Sequence, residues 1–510
     1  MKEDKQIRIN LITNIANLVA SVIIGLIYTP YLVRTLGVAA YGIVPLALII
    51  NQYINVIAGS LTGSLTRFYS IALQNDNKEE ASSYLSTSFA TISTIIIILT
   101  PFFILLIINI DSVFNIPFEL VSNAKRLFTF TIISFVFSLF SAILNITLYS
   151  LNRLDLMNLI KILRISFKFL LTIFFLEKIE INIAYIGYAN CISEIIILAL
   201  SLNLFYKINQ KEIKLSLRFF NKARLLSMLG MTTWVLIHQI GDTGLYGTDN
   251  ILVNIFWNTK ESGILGALSE FGGYVMLIVS VISSLFGPLI LIAYSKKEQD
   301  KVLYLTLNNS LIVGILTAIL TGVLIGFAKP IIGFWLGTAF VPYSNWFIIK
   351  LITIPTYAAA GIFAFTYRAC NKVRFPALVT IIIGITNFAI SYILYTFYKH
   401  NETIITKVLS ISALLVIIQS YGLNAFWFSY IYRGNGLKVM RIFLKIVLVL
   451  IITTLISYSF ESYYGTKTIV DLLLKLSLSG IICSIMTFFF ALNKDQKKSV
   501  LSLINYQIKK

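Results

Sequence analysis

The chain has 510 residues, of which 57% are apolar and 12% charged, with a mean hydropathy of +0.85. That is far more apolar surface than a soluble core can hide, so a water-soluble globular protein is excluded. The formal charge of +19 would suit nucleic acid on a soluble protein; here membrane topology accounts for it, and no nucleic-acid partner is expected.

Apolar runs of about 20 residues recur along the chain, each long enough to cross about 30 Å of hydrocarbon as a helix. Spans are expected at 11–32, 42–72, 84–109, 124–149, 157–176 and 182–205, then at 225–256, 263–295, 303–327, 344–369, 376–398 and 404–429, and finally at 442–459 and 469–492. The first run has no small-residue cleavage site after it and reads as a retained helix. With the N-terminus inside, the inner segments hold 26 Lys and Arg against 9 in the outer ones, which places both termini in the cytoplasm. Cys191, Cys370 and Cys483 lie singly inside apolar runs, as packing residues rather than a disulfide or metal set.

The basic run KINQKEIKLSLRFFNKAR, Lys207 to Arg224, separates spans six and seven. It reads either as an amphipathic interdomain linker on the inner surface or as a plain solvated charge run. The expected organisation is all-α and integral to the membrane, with fourteen transmembrane helices. These form two pseudo-symmetric six-helix lobes, 1–206 and 225–430, joined by the linker 207–224; residues 431–510 add two C-terminal helices and a basic tail. A short internal echo supports two lobes. Tyr41-Gly42-Ile43, between spans one and two, matches Ser262-Gly263-Ile264, between spans seven and eight.

Polar residues inside the spans are the candidate site residues. Span one carries Asn10, Asn14, Asn17, Ser21, Gly25 and Tyr28 at steps of three and four, lining a cavity or serving close helix packing. Arg34 follows at its outer mouth. Span two adds Gln52, Gly59, Gly63, Arg67 and Ser70, and span four Ser134, Ser138, Ser141 and Asn145; Arg67 is near enough to the inner end to snorkel. An ionisable side chain at mid-membrane costs about 2.5–3.5 kcal/mol. Span five nevertheless holds Lys161, Arg164 and Lys168 on one helical face between Asn158 and Thr172. Lys161 and Arg164 are within snorkelling range of the inner headgroups, whereas Lys168 lies roughly 16 Å in, near the midplane. Three cations on one face suit an anionic, phosphate-bearing substrate.

Span seven differs in sign, with His238, Asp242 and Asp249 on one face among Gly241, Gly244 and Gly247; span eight has Glu270 beside Gly272-Gly273. These carboxylates are placed either to bind Na+ or a proton as coupling ion, or to pair with the basic face of span five, and Asp249 and Glu270 have a third reading as residues near the outer surface; the glycines let the helix bend. His238 has a second reading as a packed, hydrogen-bonded side chain. No GxxxxGK[ST] or HExxH sequence occurs, and His238 is remote from His400. ATP-driven transport on this chain is therefore excluded, no resident cofactor, metal or catalytic residue is expected, and the chain does not read as an enzyme.

The stretch Asn17 to Arg67, centred on TPYLVRTLGVAAYGIVPL, resembles the opening of bacterial polysaccharide flippases of the Wzx type, within the multidrug/oligosaccharidyl-lipid/polysaccharide exporter superfamily; FWLGTAFVPY (Phe334 to Tyr343) resembles the outer joint of spans nine and ten. The resemblance implies two six-helix lobes around a central cationic cavity in the bacterial plasma membrane. It implies as substrate an undecaprenyl-pyrophosphate-linked oligosaccharide of an O-antigen or capsule, exchanged by alternating access with H+ or Na+, with membrane lipids and other polysaccharide assembly proteins as partners. Other members of the superfamily, a multidrug/cation antiporter or a lipid II flippase, are the closest rivals. A drug-cation exporter would line its first lobe with carboxylates, and a membrane polymerase or ligase acting on lipid-linked sugars would need a large outer loop.

Overall fold

The computed structural model describes residues 2–209, 212–398, 403–492 and 496–497. His400, two linker residues and most of the basic tail lie outside them. All regular structure among the described residues is helical. The first helices are α1 (Lys2–Leu36), α2 (Val38–Tyr41), α3 (Ile43–Gln74), α4 (Lys78–Ile108), α5 (Ile110–Val113), α6 (Phe118–Ser150), α7 (Leu154–Lys178) and α8 (Ala184–Asn209). Then come α9 (Lys222–Tyr246), α10 (Thr248–Phe256), α11 (Thr259–Ser284), α12 (Phe286–Ser295), α13 (Gln299–Gly326), α14 (Ala328–Trp335), α15 (Ser344–Ile352) and α16 (Ile354–Ala369). The chain continues through α17 (Arg374–Phe397), α18 (Thr403–Ile418), α19 (Asn424–Ile431), α20 (Gly436–Tyr464) and α21 (Ile469–Phe490).

Among the described residues, eleven segments are long and apolar enough to cross a membrane. Fourteen were expected; the helices standing where spans two, five and seven were placed, α3, α7 and α9–α10, are not among the eleven. For α7 the reason is charge, because any stretch of it long enough to cross contains Lys161, Arg164 and Lys168. Several expected spans are broken rather than continuous. Gly247 separates α9 from α10, a π-helical turn at Gln419–Leu423 joins α18 to α19, and Thr353 separates α15 from α16. Pro355 explains the last break, since its ring removes one helical N–H and crowds the carbonyl four residues back.

The chain forms two compact units, Met1–Thr243 with Gly247–Gly263, and Gly244–Tyr246 with Ile264–Lys510. In the first, α6 packs against α3, α4, α7 and α8. Residues 212–221 after α8 are irregular apart from a 3-10 turn at Leu217–Phe219, and serines and threonines at the start of α4 hold their backbone. Lys214 N donates to Ser82 Oγ (3.1 Å), Ser216 N to Ser86 Oγ (3.1 Å) and Asn221 N to Thr87 Oγ1 (3.1 Å), while Ser83 Oγ donates to the Phe219 carbonyl (2.7 Å). Main-chain groups that have left a helix thus find side-chain partners.

In the second unit α13 is buried along most of its length and packs on α12, α16, α20 and α21. Gly314, Ala318, Gly322 and Gly326 recur every four residues on one face of it. A Cβ on Gly322 would lie 2.8 Å from Thr453 Cβ, and one on Gly326 only 2.4 Å from Ser457 Cβ. Lipid gives helices no hydrophobic reason to associate, so such close backbone approach supplies the attraction. α20 is therefore tightly seated on α13.

Two glycine positions fix the joints. Leu36-Gly37 and Leu336-Gly337 each end a helix, with Gly37 at φ +79°, ψ 157° and Gly337 at φ +113°, ψ 163°, a region that is essentially closed to side chains. Gly42 and Gly263, the pair matched in the sequence echo, touch each other. A Cβ on Gly42 would sit 1.9 Å from the Thr259 carbonyl oxygen, and one on Gly263 would sit 2.9 Å from Gly42 Cα. We expect Gly42→Ala or Gly263→Ala to lower the stability of the purified protein by about 1–3 kcal/mol, read as a drop in thermal midpoint. Gly59→Ala, inside α3 where a Cβ meets nothing within 4 Å, should not lower it, since Ala is the better helix former.

Candidate functional site

The basic face of α7 is built where that helix meets α1, α6 and α8. α1 and α7 run in parallel register. Asp155 N donates to Asn10 Oδ1 (3.0 Å), Asn158 Nδ2 to Thr13 Oγ1 (3.4 Å), Tyr28 OH lies 3.1 Å from Thr172 Oγ1, and Tyr31 OH donates to Glu177 Oε1 (3.2 Å). The partners stay 144 to 146 residues apart along the whole length. Asn17 and Ser21, both half-buried, therefore stand at the level of Lys161 to Lys168, with Asn14 a turn below. Asn17 Oδ1 is buried without a hydrogen-bond partner among the described residues.

Leu159, Leu170 and Phe174 on α7 are 48%, 59% and 54% exposed and form its apolar outer face. At about 100° per residue, Lys161, Arg164 and Lys168 centre roughly 150° away from that face. They lie on the opposite side of α7 from that apolar face. Lys161 is exposed, while Arg164 and Lys168 are half-buried. Arg164 Nε lies 2.9 Å from Glu194 Oε1 of α8, with its N–H not aligned on the oxygen, and Nη2 donates to Ser141 Oγ of α6 (3.0 Å). Lys168 Nζ stands 5.6 Å from the centre of the Tyr28 ring, within cation–π range.

Glu194 is the residue that sequence reasoning missed. The basic face was expected to pair, if at all, with the carboxylates of spans seven and eight; the partner of Arg164 comes instead from span six. Its signal is a single acidic residue in the apolar run ISEIIILALSL, a placement lipid does not tolerate without a partner.

The other candidates are placed as follows. Arg34 is exposed at the end of α1, Gln52 and Arg67 are exposed on α3, and Arg67 stacks over its neighbour Phe68 at 5.8 Å. His238 Nδ1 and Asp242 Oδ2 are 3.1 Å apart, one turn from each other on α9. Asp249 is buried in the first turn of α10, where the helix dipole favours a negative charge. Glu270 is half-buried on α11. α9 passes through Gly241 and Gly244 unbroken. Gly244 makes a close approach to α17, with a built Cβ 3.6 Å from Gly384 Cα and its carbonyl accepting from Asn387 Nδ2 (3.4 Å). Among the described residues no group of three or more His, Cys, Asp or Glu could hold a metal ion.

Below the span, α7 is anchored by charge. Arg153 Nε and Nη2 meet Asp155 Oδ1 and Oδ2 at 3.0 and 3.1 Å, and Gln6 Nε2 donates to Asp155 Oδ1 (2.9 Å). The Arg153 guanidinium holds the Asp155 carboxyl below its ordinary value. The contact therefore stabilises the folded chain above the ordinary value and is lost as pH falls through the lowered one. Asp155→Asn should lower the thermal midpoint at pH 7, and the gap to wild type should close below about pH 4. A gap that persists in acid would show that the two side chains contribute packing rather than charge.

No family model matches the chain. It is 24% identical over 397 residues to the uncharacterized membrane protein EpsK of Bacillus subtilis (strain 168), a match covering 75% of this chain and 76% of that protein. The lipid II flippase MurJ, in an inward closed conformation, superposes with a TM-score of 0.66 at 16% identity, over 94% of this chain and 99% of that one. An inward-facing multidrug resistance MATE family transporter of the MOP superfamily gives 0.63 at 13% identity, over 84% and 98%. The chain thus has the multi-helix membrane fold shared by MOP-superfamily transporters, MATE and MurJ among them.

Proposed function

We propose that this protein is a flippase that moves an undecaprenyl-pyrophosphate-linked oligosaccharide, an O-antigen or capsule repeat unit, across the bacterial plasma membrane by alternating access. One observation carries the reading: Arg164 and Lys168 are held within the first unit, turned away from the exposed apolar face of their helix. A pyrophosphate is the part of a lipid-linked sugar that lipid rejects most strongly, and Arg and Lys are the side chains that replace its water. Asn17 and Ser21 supply hydrogen-bonding groups at the same level, and Asn14 a turn below. In this reading both termini are cytoplasmic, the helices divide into two six-helix lobes with two further C-terminal helices, and Arg34 and Arg67 guide the head group at the two ends. His238, Asp242, Asp249 and Glu270 are the groups through which H+ or Na+ would couple, with Gly241 and Gly244 allowing their helix to adjust. Membrane lipids and other polysaccharide assembly proteins are the proposed partners.

A multidrug exporter of the same fold is the second reading, and Glu194 is the feature that favours it, since a buried carboxylate suits an organic cation. Arg164 already neutralises that carboxylate. A carboxylate engaged in that way has little left to offer an organic cation.

Deleting the gene should cause lipid-linked oligosaccharide to accumulate on the inner leaflet, and the wild-type gene should reverse this. Lys168→Glu should reach the membrane at the wild-type level yet fail to reverse it, because the substitution inverts the charge near mid-span. Full rescue by Lys168→Glu would remove the α7 face from the mechanism.

A further inference from the structure

The ion pair between α7 and α8 has a consequence for how a phosphate is released. Arg164 offers five N–H donors, and among the described residues the guanidinium makes one hydrogen bond, to Ser141. Its contact with Glu194 is short but unaligned, and Glu194 Oε2 is buried without a hydrogen-bond partner among the described residues. The carboxylate side chain is 13% exposed and that of the arginine 31%, so the arginine is the member that an incoming ligand meets first. A carboxylate and a phosphate oxygen present the same fork to a guanidinium. A phosphate that takes the Nε edge in that fork displaces Glu194 from it.

Resting on the phosphate-lipid reading above, we propose that Glu194 is an internal stand-in for the substrate phosphate. It holds Arg164 in the empty protein, must be displaced on loading, and reclaims the guanidinium to drive the phosphate off. The empty protein then carries a neutral pair at this point of the membrane rather than a bare guanidinium. The cost of the arrangement is affinity, because the ligand binds only the fraction of molecules in which Arg164 is free. Glu194 is a positioning residue in this scheme, acting on the ligand through Arg164.

The test uses the full-length protein in detergent with farnesyl pyrophosphate as probe and farnesol as the uncharged control. Glu194→Gln keeps the shape of the side chain and removes the charge that competes. It should bind the pyrophosphate about tenfold more tightly than wild type, as expected if Arg164 is free about a tenth of the time, with farnesol binding unchanged. Reconstituted in vesicles, the same variant should flip a fluorescent polyprenyl pyrophosphate more slowly than wild type, because release is impaired. Glu194→Asp should restore flipping in part and bind with intermediate affinity. A merely structural carboxylate would give the opposite sign, since deleting one partner of a buried pair destabilises the site that binds. Equal or weaker binding by Glu194→Gln overturns the proposal; if that variant does not insert, equal or weaker binding by Glu194→Asp overturns it. Failure of the wild type to prefer farnesyl pyrophosphate over farnesol is a different result, and removes the phosphate reading itself.

Discussion

Hydrocarbon offers no partner to a charge, and this constraint organises the first unit. Arg164 cannot sit in an apolar helix as a bare cation, so α8 supplies Glu194 and α6 supplies Ser141. Those contacts fix the rotation of α7 about its axis, which turns Leu159, Leu170 and Phe174 outward and Lys161 and Lys168 to the opposite side. The same rotation sets the register with α1, where hydroxyl and amide side chains meet at matched levels from Asn10 to Tyr31. Charge pairing and helix packing are thus one problem with one solution.

Where no charge is available, small residues do the joining. Dispersion between closely approaching backbones replaces the hydrophobic effect that would hold helices together in water. Gly42 against Gly263 in the first unit, and the glycine face of α13 against α20 in the second, bring main chains closer than any side chain would permit. The linker after α8 follows a third strategy, in which Ser82, Ser83, Ser86 and Thr87 satisfy its main-chain groups.

Much of this was legible in the sequence. Apolar runs of crossing length marked the helices, and the steps of three and four between Lys161, Arg164 and Lys168 placed those cations on one face. The cationic span was recognisable because each of its charges breaks an otherwise apolar pattern, and that departure is also why α7 is not among the eleven segments that pass on length and hydropathy. Less visible were the interruptions. Pro355 could have marked the break at Thr353 inside the span placed at 344–369, whereas the π-helical turn at Gln419–Leu423 has no marker as strong in its local sequence. Least visible was the choice of partner. Glu194 and Arg164 are 30 positions apart, and only the packing of α8 on α7 decides that they meet, rather than Arg164 meeting one of the carboxylates in spans seven and eight.

The seating of α13 on α20 bears on how the protein is made. α13 ends at Gly326 and α20 begins at Gly436, about 110 residues later, so at a synthesis rate of about 5–20 residues per second α13 leaves the ribosome roughly 5–20 s before its partner exists. During that interval its row of glycines, with Thr317 and Thr321 nearby, has no mate. The nascent segment must wait beside the insertion machinery or lean on α16, and correct assembly of the second unit is decided late in translation.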